Sequence, residues 1–231
     1  MPQPAAPDDV PDPPLCLAQG QWDALAAAYA QPTRAYHDLG HVHEVLRHPA
    51  AVAAGPGWRQ PRETWLAVLY HDAVYVPGRR DNEARSAELA AAHIARWLPD
   101  AGIDAGRVDA LIRATARHGS LGPVDVEADP CGQDLAHFLD CDMAILGQDW
   151  PVFEAYDRAI AAEYAGVVPG WLFRFKRRRF LRGLADAPRV FLSDFFHHRL
   201  DAQARANLRR AAAGGRPRTP TDTTTHTGVP T

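Results

Sequence analysis

His71 and Asp72 stand side by side in the chain, with His41 thirty residues before them and Asp142 seventy residues after them in Leu139-Asp140-Cys141-Asp142. That order, one His, then a His-Asp pair, then one Asp, could supply four nitrogen and oxygen ligands to a single divalent cation. Neutral imidazole and carboxylate suit Mn, Fe, Co, Ni, Zn or Mg, and with Cys141 the one nearby thiol a soft thiolate site is disfavoured. Adjacent side chains in mid-helix diverge by about 100°, so two neighbouring ligands predict a helix terminus, where the chain turns away. An isolated His-Asp dipeptide reads first as a dipole-complementing His beside a turn-capping Asp. The surrounding sequence decides between the two.

The elements that must position these residues are helical. Apolar residues recur at three- and four-residue intervals, as in Trp22, Leu25, Ala26, Tyr29 and in Trp65, Leu66, Leu69, Tyr70, and no alternating pattern persists. Punctuation predicts an all-α bundle in one domain with about eight helices: 15–30, 41–54, 62–71, 81–98, 104–117, 132–146, 151–164, and a basic group over 170–213 that breaks near Ala187-Pro188. His71-Asp72 closes the third. Asp81 is the expected N-cap of the fourth, with Asn82 and Glu83 in its first turn. The loop from Ala73 to Arg80 is long enough to wall a pocket. The acidic, proline-rich 1–14 and the Gly, Pro and Thr run of 214–231 have almost nothing to bury and are expected to be disordered tails around a folded 15–213.

A chain of 231 residues, 46% hydrophobic, can bury a generous core. Its 25 basic and 28 acidic residues leave a net charge of −3, which gives no global attraction to nucleic acid or an anionic membrane. The run Arg174, Lys176, Arg177, Arg178, Arg179, Arg182 is interspersed with Trp171, Phe173, Phe175 and Phe180, and reads as the solvated face of an amphipathic helix rather than a nucleic-acid patch. Cys16, Cys131 and Cys141 are an odd number without CxxC spacing, so neither a disulfide framework nor a zinc knuckle is expected. With no apolar stretch near the roughly 20 residues of a membrane span and no basic-then-apolar leader, the expectation is a cytoplasmic protein whose partners are small molecules.

The ordered set Arg34-Ala35-Tyr36-His37-Asp38-Leu39-Gly40-His41, His71-Asp72-Ala73-Val74-Tyr75, Asp81-Asn82-Glu83 with Ser86-Ala87, and Phe138 to Gly147 resembles the HD superfamily of metal-dependent phosphohydrolases. More narrowly, it resembles the bacterial branch of predicted HD-domain phosphohydrolases, over about Trp22 to Asn207. The resemblance implies an all-helical bundle, a divalent metal held by the first His, the His-Asp pair and a distant Asp, and hydrolysis of a small phosphorylated substrate such as a nucleotide. Carried over, the ligands are His41, His71, Asp72 and Asp142. His37 and His43 compete with His41, which fits better because an aliphatic residue, Val45, lies four positions on. Asp140 competes with Asp142; residues two apart on a helix point about 200° apart, so the two cannot easily serve one ion. Asp142, immediately before Met-Ala-Ile-Leu, is the better match, and Asp140 is left a capping or supporting role.

Two-metal members of the superfamily often carry a His where this chain has Asn82, so one metal per chain is favoured. The same position counts against an oxygen-using di-iron enzyme, which together with a non-catalytic nucleotide sensor forms the alternative reading. Asp72, Glu83 and His118 are the candidate catalytic groups. Glu83 would handle protons from the first turn of its helix, where it also reads as a dipole-complementing carboxylate. His118 would face the metal pocket, although a His before a Gly also reads as a helix ending. Arg34, Arg79 and Arg117 are candidates for phosphate counter-charge, and His37, Tyr75 and Asn82 complete the substrate-facing set.

Overall fold

The helix that ends at the His71-Asp72 pair is apolar on nearly every side, and Leu66, Ala67, Val68, Leu69 and Tyr70 in succession are fully buried. A helix without a polar face must sit in the middle of a protein. In the computed structural model, which describes residues 13–214, this helix spans Pro61–Tyr70 and other helices wrap around it. Pro61 opens it, pre-set for a helical first turn. Its N-terminus is capped from elsewhere in the chain: the buried Asp134 carboxylate accepts from the backbone N–H groups of Arg59 and Gln60 at 2.8–3.1 Å.

Among the described residues the chain forms ten α-helices and no strand. They are α1 (Gln19–Tyr29), α2 (Leu39–Ala54), α3 (Pro61–Tyr70), α4 (Asn82–Trp97), α5 (Ala105–Ala114), α6 (Pro123–Ala128), α7 (Gly132–Met143), α8 (Trp150–Glu163), α9 (Gly170–Asp186) and α10 (Asp194–Ala212). Short 3₁₀ turns at Thr115–Arg117 and Ala144–Gly147 extend α5 and α7. One hydrophobic core runs from Leu25 on α1 to Ala212 on α10. α3 packs against α2, α4, α5 and α7, while α9 and α10 pack on each other and α10 also meets α7 and α8.

The all-helical class matches the expectation, and the count of about eight is corrected to ten. α6 went unseen because it buries nothing, so it carries no apolar period to read. The basic C-terminal group divides into α9 and α10: after Pro188, Ser193 caps the new helix by accepting from the Phe196 N–H. At Asp81 the expected N-cap position is right but the side chain does something else, since its carboxylate pairs with Arg79 at 2.6 Å and makes no cap hydrogen bond. All three cysteines are free thiols, and among the described residues no helix is long and apolar enough to cross a membrane. Of the two predicted tails, 1–12 and 215–231 lie outside the described residues.

Candidate metal centre

Three helix ends bring the predicted ligands to one point. His41 lies in the first turn of α2, fixed there by Asp38, whose side chain caps the helix by accepting from the His41 N–H at 3.2 Å. His71 is the C-cap of α3 and still helical, with its N–H bonded to Ala67; the chain leaves the helix at Asp72, as two adjacent ligands require. Asp142 lies in the last turn of α7, just before the Ala144–Gly147 turn.

The His41 and His71 Nε2 atoms are 3.2 Å apart. Asp142 Oδ1 lies 3.2 Å from the first and 3.4 Å from the second, and Asp72 Oδ2 lies 3.6 and 3.1 Å from the same two atoms. Ligands about 2.1 Å from one ion stand roughly 3.0–3.4 Å apart at octahedral or tetrahedral angles. His41 and His71, both buried, and the partly exposed Asp142 therefore form a group that could hold a metal ion, and Asp72 lies beside His71 but outside that group. Neither His37 nor His43 reaches that group: His43 is exposed, and His37 Nε2 stops 3.9 Å from Asp72.

The donor chemistry fits a cation. His71 Nδ1 lies 2.8 Å from the Val68 carbonyl, which can only accept, so Nδ1 carries the proton and the Nε2 lone pair faces the group. The Asp72 and Asp142 carboxylates and the His71 imidazole crowd together here and shift one another strongly. Burial pulls the His71 imidazole down, but the Asp72 and Asp142 charges outweigh it and its pKa is raised well above 6.5. Burial raises the Asp72 and Asp142 carboxyls, yet His71 and the hydrogen bonds around them hold both well below the usual carboxylate range. Two ionised carboxylates at such a spot are what a divalent cation would neutralise. Cys141 is no competitor, since burial pushes its thiol well above its ordinary value.

Asp140 faces away from the group. Its carboxylate accepts from the Leu192 N–H, the Ser193 N–H and the Ser193 hydroxyl at 2.6–2.7 Å, anchoring the start of α10. Burial nonetheless pushes its pKa up to about 7. His118 fills both of its readings: it follows the Thr115–Arg117 turn and precedes a left-handed Gly119, and its Nε2 lies 2.7 Å from Asp142 Oδ2. It therefore holds the carboxylate oxygen that the group does not use.

The group opens into a cavity of about 570 Å³ lined by His37, His71, Asp72, Tyr75, Arg79, Glu83, His118 and Asp142, with Tyr156, Tyr164, Phe173 and Phe180 as aromatic walls. Three predicted substrate contacts are elsewhere. Arg34 is buried and donates to the His37, Asp72 and Ala73 carbonyls, which ties the turn before α2 to the ligand loop. The two ends of the Asn82 amide bond the N–H and carbonyl of Val76, so it braces the 73–80 loop and faces no cation. Arg117 pairs with Asp125 on the surface. Arg79 does line the cavity, already bonded to Asp81.

Two contributors had no local signal. Glu163, at the end of α8, is buried and accepts from the N–H groups of Ala35, Tyr36 and His37 and contacts His37 Nδ1 at 2.7 Å. Burial pulls the His37 imidazole down, but Asp72 and then Glu163 outweigh it and raise its pKa. Arg177 stood in the sequence as one of a basic run; in the fold it enters the cavity wall, bonds Asp157 at 2.9 Å and keeps a buried Nη2 without a partner. Compared with protein-family models, curated proteins and solved structures, the chain matches none, so the geometry and chemistry of the centre carry the functional reading.

Proposed function

We propose that this protein is a metal-dependent phosphohydrolase acting on a small phosphorylated substrate, with His41, His71, Asp72 and Asp142 as the ligands of one divalent cation. The observation that carries this reading is the set of 3.1–3.6 Å contacts that the two Nε2 atoms make with each other, with Asp72 Oδ2 and with Asp142 Oδ1, beside a roomy cavity. When bound, a divalent cation lowers the pKa of water and neutralises phosphoryl charge. Four protein ligands leave positions for water and a phosphate oxygen only on an ion that accepts six, which favours Mn, Fe, Co, Ni or Mg over tetrahedral Zn.

The chain's own residues supply the rest. His118 fixes the orientation of the Asp142 carboxylate from its second oxygen. Glu83, on the cavity wall in the first turn of α4, is the carboxylate placed to take a proton from water. His37, oriented by Glu163 through Nδ1, presents Nε2 toward Asp72 and the cavity, where a protonated ring donates to a phosphate oxygen. The unpartnered Arg177 Nη2 offers a further donor for that phosphate. Asn82, committed to the loop backbone, supports one cation over two.

Metal content and phosphate release together test the reading. The wild type, loaded in turn with Mn, Co, Ni and Mg, should hold one equivalent of metal and release phosphate from members of a panel of nucleotides, sugar phosphates and phosphodiesters. Asp72→Ala and His71→Ala should lose both while keeping their helical circular dichroism. Undiminished metal in either variant refutes the ligand assignment. One equivalent of metal with no hydrolysis anywhere in the panel refutes the hydrolase.

A further inference from the structure

Behind His118 the cavity wall opens a second time. A smaller space of about 370 Å³ adjoins the main cavity and shares with it the side chains of His118, Lys176, Phe180 and Leu184. Its remaining lining comes from the 119–120 turn and from Arg179 and Gly183 on α9. The two spaces differ in charge. Asp72, Asp142 and Glu83 line the first beside Arg79, Lys176 and Arg177, whereas no carboxylate lines the second, whose charged groups are the exposed Lys176 and Arg179.

These cations are available. Lys176 is the only lysine among the 25 basic residues, and among the described residues neither it nor Arg179 forms an ion pair, whereas Arg177 between them in sequence is held by Asp157. Two glycines shape the space. Gly119 has φ +74°, and a Cβ there would come within 2.4 Å of Leu184 Cδ2, so glycine lets the turn close against α9. Gly183 is different: it stands inside α9, where glycine costs roughly 1 kcal/mol against alanine, and a Cβ built on it meets nothing within 4 Å. Packing does not require glycine there, and the exposed position leaves room for a larger side chain to extend into the second space.

Resting on the phosphohydrolase reading, we infer that the site is two-lobed and that its substrate carries two anionic groups. One phosphoryl group sits at the metal centre, and the second, a phosphate or diphosphate terminus, is received by Lys176 and Arg179 in the lobe beyond His118. The substrate class is thus a bisphosphorylated or polyphosphorylated small molecule rather than a simple monoester. Lys176, placed in the wall common to both lobes, bridges the two anions.

Non-hydrolysable probes test this without turnover. Isothermal titration of the Mn-loaded protein would compare propylphosphonate, with one anion, and propane-1,3-bisphosphonate, with two. A charge-assisted contact of the usual strength predicts that the wild type prefers the bisphosphonate about tenfold or more. Lys176→Gln/Arg179→Gln should bring that ratio to about one at unchanged metal content, and Gly183→Leu, which fills the lobe while favouring the helix, should do the same without loss of stability. A wild type without preference, or variants that keep it, overturns the second lobe while metal binding stands. Absence of metal from the wild type overturns the phosphohydrolase reading itself, and a preference that survives in metal-free protein but disappears in the double variant keeps the cationic lobe.

Discussion

A histidine can ligate a cation only through a nitrogen that has lost its proton, and His71 is held in a state where that proton must leave from the ligating side. Val68 keeps a proton on Nδ1, while the Asp72 and Asp142 charges overcome the opposing effect of burial and hold the metal-free imidazole protonated well above pH 6.5. Metal binding at neutral pH must therefore expel a proton from Nε2. Calorimetry in two buffers of different ionisation enthalpy should read about one proton released near pH 7, with apparent affinity rising with pH until the raised pKa is passed; metal binding without proton release near pH 7 would contradict this. Stability of the metal-free protein follows from the same groups. The raised His71 pKa contributes stability that is full below its unfolded value of about 6.5 and fades as pH rises through the folded one. The depressed Asp72 and Asp142 pKa values contribute stability present above the unfolded value of about 3.9 and lost as pH falls through the folded ones. Metal-free protein should be firmest in mildly acidic to neutral buffer, with urea midpoints falling on the acid side and, more gently, toward alkaline pH. At this scale the sequence was legible where chemistry is local: the His-Asp adjacency demanded a helix end, and His41 sits under an Asp38 cap that precedes it by three residues.

Among the elements, α7 organises the centre with three aspartates that do three different things. Asp134 caps α3, Asp140 anchors α10, and Asp142 reaches the metal group. Asp140→Ala strands two backbone donors and a buried hydroxyl and should cost about 2 kcal/mol or more in urea unfolding, with metal content unchanged; Asp142→Ala should show the reverse, lost metal at modest cost in stability. The sequence favoured Asp142 over Asp140 as the ligand, and the helix turns the two to opposite sides. Glu163 was not legible at all. Nothing near it in sequence hints that α8 ends beneath the 35–37 turn, because that meeting is made by packing across more than a hundred residues. Glu163→Ala should destabilise by about 1–3 kcal/mol, as buried N–H groups lose their acceptor. It should also weaken substrate binding through a mobile His37, seen as a raised KM with a smaller change in kcat.

For the whole molecule, apolar spacing reports that helices form and which of their faces turn inward, and so the all-helical class and most boundaries could be read. It does not report which arginine enters a cavity and which stays outside. Arg34, Asn82 and Arg117 carry the right chemistry for phosphate yet brace the backbone or the surface, while Arg177 and Lys176, two members of a basic run, line the cavity. Because the proposed ligands come from the ends of three helices, occupation of the centre should tighten the bundle as a unit. At a metal concentration of about a hundred times Kd the gain is about 2.7 kcal/mol, read as a rise in Tm that EDTA reverses and that Asp72→Ala lacks. The most direct measurement is anomalous diffraction from crystals grown with Mn²⁺. A centre built from the four proposed ligands gives one strong peak per chain, roughly 2.1–2.3 Å from His41 Nε2, His71 Nε2 and an oxygen each of Asp72 and Asp142. A peak coordinated by other residues, or none at the centre at saturating Mn²⁺, would contradict it.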